Sequence, residues 1–233
     1  MNGGPFPASA GITLEVCTDS IEGAAAAEEA GAGRVELCAN LLEGGTTPSA
    51  GAIELAKDRL RIPIHVMIRP RPGDFSYSAA ELEVMARDIE SAKRLGAAGV
   101  VLGVLTADGV VDAGAVRRLI EGARPLEVTF HRAFDAARDP LDALERIIDL
   151  GAGRVLTSGQ ERSAEDGIDL IRRLVERARG RIVILPGGGV TAANAARIVR
   201  ETGVREVHAS CRGDCGATDP ERVRALVRAL EGL

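Results

Sequence analysis

Glu15 and Cys17 stand two apart in Leu14-Glu15-Val16-Cys17, and Glu36 and Cys38 stand two apart in Val35-Glu36-Leu37-Cys38. On a strand that spacing puts both members of each pair on one face and the aliphatic residues between them on the other. Carboxylates can act as acids and bases, and thiols can hold soft metal ions. Such groups gathered on a buried face are costly unless they are paired, hydrogen-bonded or used. The same alternation adds His65, Met67 and Arg69, then Glu127, Thr129 and His131, then His208 and Ser210. All three histidines of the chain therefore fall on one face, which makes Glu15, Glu36, His65, Arg69, Glu127, His131 and His208 candidate catalytic residues.

The elements that must position these residues repeat as strand then helix, eight times. The strands run over residues 12–17, 34–39, 62–69, 99–104, 126–131, 154–157, 181–185 and 206–209. Helices are expected to open at Ser20, Ser49, Ser78, Asp112, Asp139, Ser163, Thr191 and Asp219. Ser78 with Glu81 forms a capping box, and Pro140 and Pro220 suit first helical positions. Gly31, Gly96, Gly151 and Gly203 end helices before strands two, four, six and eight, where glycine supplies the left-handed cap. Connections this short join neighbouring parallel strands. The expected fold is a single-domain α/β (β/α)8 TIM barrel over residues 12–233, with its chemistry at the C-terminal strand ends.

Composition narrows the function. The 233 residues carry 29 basic against 34 acidic side chains, a net charge of -5, with one Tyr and no Trp. A nucleic-acid surface wants a basic stripe and stacking aromatics, so no nucleic-acid partner is expected. No apolar run reaches the roughly 18 to 20 residues of a membrane span, so no membrane partner is expected either. Residues 1–11 have neither the basic start nor the apolar core of a signal peptide and read as a short flexible lead. The expected location is the cytoplasm, where four cysteines are thiols or ligands rather than structural disulfides. A homo-oligomer is the expected assembly.

The loops add a further signal. Gly187, Gly188 and Gly189 follow strand seven and lead toward Thr191, and Ser210 adjoins them from strand eight. Loops at this place in a barrel bind phosphate through exposed N–H groups, so these four residues are candidate anion ligands. Arg69 and Arg132 could clamp a small anionic ligand. A merely tight turn is the plainer reading of the glycines. Lys57 and Lys93 are the only lysines and lie on outer helices, which removes Schiff-base chemistry. One reading is thus a barrel enzyme acting by acid–base chemistry on a small anionic or phosphorylated metabolite.

The segments LEVCTDS, RVELCANLLEGGTTPSAG, PIHVMIRPRPGDF, VVLGVLTADG, VTFHRAFD, RVLTSGQ, PGGGV and EVHAS resemble, in that order, the copper homeostasis protein CutC family. The resemblance spans about residues 12–210. It implies a cytoplasmic (β/α)8 barrel associated with copper handling, with copper(I) bound by cysteines at the positions of Cys17 and Cys38. Neighbouring strands lie about 4.7–4.9 Å apart, so these two cysteines, taken as matching points of strands one and two, would bring both sulfurs to one ion. Met67 is a candidate third ligand. The same proximity would allow a disulfide, and a buried small hydrophobe is the commonest fate of a free cysteine. Cys211 and Cys215 after strand eight depart from the family pattern.

Overall fold

The computed structural model describes residues 11–233. The expected flexible lead therefore lies, apart from Gly11, outside the described residues. The strands are β1 (Thr13–Thr18), β2 (Arg34–Leu37), β3 (Ile64–Met67), β4 (Gly99–Leu102), β5 (Glu127–Phe130), β6 (Arg154–Thr157), β7 (Val183–Pro186) and β8 (Glu206–Ala209). Between and after them run α1 (Ile21–Glu29), α2 (Ala50–Arg59), α3 (Ala79–Arg94), α4 (Ala113–Ala123), α5 (Pro140–Leu150), α6 (Ile168–Ala178), α7 (Ala195–Thr202) and α8 (Pro220–Leu230). Each strand from β1 to β6 pairs in parallel with the next, and β8 returns to pair with β1. β7 and β8 abut across the remaining seam and bring the sheet round into a (β/α)8 barrel. Among the described residues no helix is long and apolar enough to cross a membrane.

Local chemistry accounts for most helix starts. Ser20, Ser49, Asp112, Asp139 and Asp219 each accept a first-turn backbone N–H, and Ser78 and Glu81 complete their capping box. α6 and α7 start later than Ser163 and Thr191. Ser163 Oγ accepts from the Asp166 N–H, and Asn194 Oδ1 accepts from the Thr191 N–H, so these side chains close local turns before either helix begins. Four residues thus separate Val190 from the first residue of α7, and the glycine run does not open directly into a helix.

The alternation sorts the strands as expected. Leu14, Val16, Val35, Leu37, Ile64 and Val66 join the helices in one continuous apolar core. Burying each such side chain is worth about 1.5–3 kcal/mol. The other face lines the barrel, and its floor is ionic. Arg34 bridges Glu15 and Glu206, while Arg154 bridges the same Glu206 and Glu127. Arg34, Arg154 and Glu206 share the parity of the inward residues on their own strands.

Removing one member of a buried ionic set strands its partners without water. Arg34→Met is therefore expected to lower the unfolding free energy by about 3–5 kcal/mol, read from denaturant midpoints at constant slope. A loss below about 1 kcal/mol, the range of a surface pair, would show that the floor does not hold the barrel.

Candidate functional site

The site is built upward from the floor through Glu15, which is fully buried at 0% exposure. Its Oε2 accepts from Arg34, and its Oε1 lies 2.7 Å from His208 Nδ1. Burial alone would raise the Glu15 pKa, but the His208 bond and the Arg34 charge outweigh it and hold the carboxyl well below the usual range. Burial opposes a charge on His208 as well. There, neighbouring Cys17 and Glu36 and the bond to Glu15 hold the imidazole well above its ordinary value. His208 is thus a buried cation whose Nδ1–H is committed to Glu15.

Strand register decides what meets His208. Cys17 on β1 is the Cα partner of Glu36 on β2, whereas Cys38 lies one inward step further along and its N–H donates to the Thr18 carbonyl. The two cysteines do not stand at matching points, because β2 is staggered against β1 as barrel closure requires. Cys17 Sγ, a Glu36 carboxylate oxygen and a His208 ring nitrogen instead lie within 4.8 Å of one another, all three residues buried. Burial, with the Glu15 charge nearby, raises Glu36 to about 7 despite the His208 cation. Its Oε1 has no hydrogen-bond partner. Cys38 Sγ lies 3.5 Å from Glu36 Oε2 and packs with Met67 and Val101. Burial and Glu36 keep the Cys38 thiol well above its ordinary pKa.

The other two histidines fill space that β4 leaves open. A Cβ on Gly99 would come within 2.6 Å of the His65 ring, and one on Gly103 within 2.6 Å of the His131 ring. His65 lies between Glu15 and Glu127, at 3.9 and 3.6 Å, and burial together with Arg34 and Arg154 lowers it to about 4. His131 Nδ1 accepts from the Ala133 N–H, so the neutral ring carries its proton on Nε2, which has no partner. Burial and the Arg69 charge lower His131 to about 3.

Arg69 is not a free clamp. Its guanidinium donates to the carbonyls of Glu43, Gly45 and Gly73, tying the loops after β2 and β3 together, while Nε is left unpartnered. The glycine run is likewise part-used. The Gly187 N–H donates to Thr157, whereas among the described residues no acceptor takes the N–H of Gly188 or Gly189. Above Cys17, Glu36 and His208 a cavity of about 850 Å³ opens, and Met67, Arg69, His131, Gly188, Gly189 and Ser210 also line it. Glu15, His65, Cys38 and Gly187 stand outside its lining, and Glu127 faces solvent at the floor. Arg34, Arg154 and Glu206 were missed by the sequence reading, although the same alternation extended one step toward the strand starts finds Arg34 and Glu206. Cys211 lines the cavity with a left-handed φ of 48°, and Cys215 is exposed, so the two thiols have different surroundings.

Residues 12–213 match the model of the CutC family. The chain is 52% identical over 212 residues to the copper homeostasis protein cutC homolog of Mus musculus, covering 91% of this chain and 78% of that protein. It is 55% identical to a family protein CutC of Bacteroides fragilis, over 85% of this chain and 80% of the relative. The crystal structure of a CutC protein from Streptococcus agalactiae superposes with a TM-score of 0.82 at 39% identity, covering 85% of this chain and 98% of that one.

The three imidazoles are expected to part company in a histidine NMR titration. At pH 6 His65 and His131 are neutral, with midpoints at about 4 and about 3, and His208 is protonated through neutrality. The first two folded values lie below the unfolded value near 6.5, so acid withdraws their stability as pH falls from there. The His208 value lies above it, so alkali withdraws that contribution as pH rises through the folded value. Three ordinary midpoints near 6.5 would refute this arrangement.

Proposed function

The chain belongs to the CutC family, and from that membership we propose that it takes up copper(I) as cargo at the mouth of its barrel, in the cytoplasm. The observation that carries this reading is the buried meeting of Cys17, Glu36 and His208. Copper(I) favours sulfur and accepts imidazole. Cys17 supplies the sulfur. Glu15 holds the Nδ1–H of His208 and so leaves Nε2 as the ligand nitrogen, the carboxylate–histidine arrangement common at metal sites. The unpartnered Glu36 Oε1 is a buried acceptor that a cation would satisfy.

His208 keeps one positive charge between Glu15, Glu36 and Cys17, and to hold copper(I) its Nε2 and the Cys17 sulfur would each have to be free of a proton. The positive charge brought in would be offset by protons given up, so affinity weakens as pH falls. Cys38 and Met67 place two more sulfurs beyond Glu36, where they support the centre.

Anaerobic competition against a chromogenic copper(I) chelator tests the reading. Cys17→Ser is expected to weaken binding at least about 100-fold, or about 2.8 kcal/mol, and Cys38→Ser by about 10-fold. Unchanged affinity in the Cys17 variant, with the fold intact by circular dichroism, would overturn it.

A further inference from the structure

We propose that the barrel mouth also binds a small organic anion, a phosphate monoester or a carboxylate, above the copper site. A single metal ion needs only the atoms of Cys17, Glu36 and His208, yet the cavity over them is about 850 Å³, within the usual range of small-molecule sites. Its charge is also the reverse of the chain's. The net charge is -5, but the cavity is lined by Arg69, Arg132, Arg212 and Arg222 against one carboxylate, Glu36. The acids that pair with these arginines, Asp19, Asp135, Asp214 and Asp219, do not line the cavity.

Two buried donors on its wall have nothing to bond. His131 Nε2 carries a proton, because Nδ1 is already an acceptor, and Arg69 Nε–H is unpartnered beside it. Both residues are at least nine-tenths buried and flank Phe75, with the His131 ring centroid 5.1 Å from that of Phe75 and the guanidinium carbon also 5.1 Å from it. A buried unsatisfied donor costs about 1–3 kcal/mol, so these two lining side chains gain by turning toward an acceptor that a ligand brings into the cavity. Gly188, close to the Arg132 guanidinium, and Gly189 also line the cavity, and among the described residues no acceptor takes either N–H. Leu156, Val190 and Leu226 supply apolar surface for an organic body. None of these features depends on copper.

The test uses the full chain freed of metal with a chelator and titrated calorimetrically at low salt with glycerol 3-phosphate, inorganic phosphate, acetate and, as a neutral control, glycerol. Saturable binding of glycerol 3-phosphate, about tenfold tighter than inorganic phosphate, with none of glycerol, supports a phosphate monoester. Binding of acetate alone supports a carboxylate. His131→Gln and Arg132→Ala should each weaken binding about tenfold, and Arg132, being exposed, keeps the test valid if the first variant misfolds. No saturable binding of any anion up to about 10 mM, or affinity unchanged in both folded variants, overturns the proposal. Copper(I) affinity measured on the same preparations separates its failure from failure of the copper reading.

Discussion

Glu15 has no access to water, and a carboxylate so placed survives as an anion only because Arg34 takes one oxygen and His208 faces the other. Isolated, the buried charge would cost several kcal/mol, and the pair of contacts offsets that cost. The same carboxylate therefore belongs to two systems. Through Arg34 it is part of the ionic floor that also holds Glu206, Arg154 and Glu127. Through His208 it fixes which imidazole nitrogen reaches Cys17 and Glu36. The floor and the mouth are thus one electrostatic unit, and the geometry of the upper site is inherited from the packing of the lower one.

The loops above are held by two further hubs. Arg69 gathers three carbonyls from the loops after β2 and β3. Asp135 accepts from Arg132, Thr157, Ser158 and Gln160, and so fastens the turn after β5 to the end of β6. Charge-assisted bonds of this kind are stronger than neutral ones, and each hub spans two βα loops. The cavity rim is consequently pre-organised, which lowers the entropy cost of receiving a ligand.

Much of this was legible in the residues. Period-two alternation in Leu14-Glu15-Val16-Cys17 separates the helix-facing from the lumen-facing side chains, and Ser78, Asp112 and Asp139 mark helix starts by their capping chemistry. What alternation cannot supply is stagger. Parity says that Cys17 and Cys38 face inward but not that Cys17 lies beside Glu36, since relative strand height is set by closure of the whole barrel. The fate of Arg69 was hidden for a related reason, because its partners are backbone carbonyls of loops, which carry no residue-type signal. Ser163 and Thr191 misled the helix starts because residues that suit a cap can equally belong to a local turn, here closed by Ser163 Oγ and by Asn194 Oδ1.

Gly99 in β4 and Gly103 just after it place no side chain on either side of Val101 inside the barrel, and the His65 and His131 rings occupy what they vacate. Each glycine is tied to its facing ring by this fit. A lineage at this fold cannot enlarge either glycine while the facing histidine remains, since even a methyl group would collide with the ring. It can lose a histidine first, at the cost of a cavity, and then refill the space from β4. Once refilled, the imidazole cannot return by a single substitution, so the loss of either ring is a one-way step.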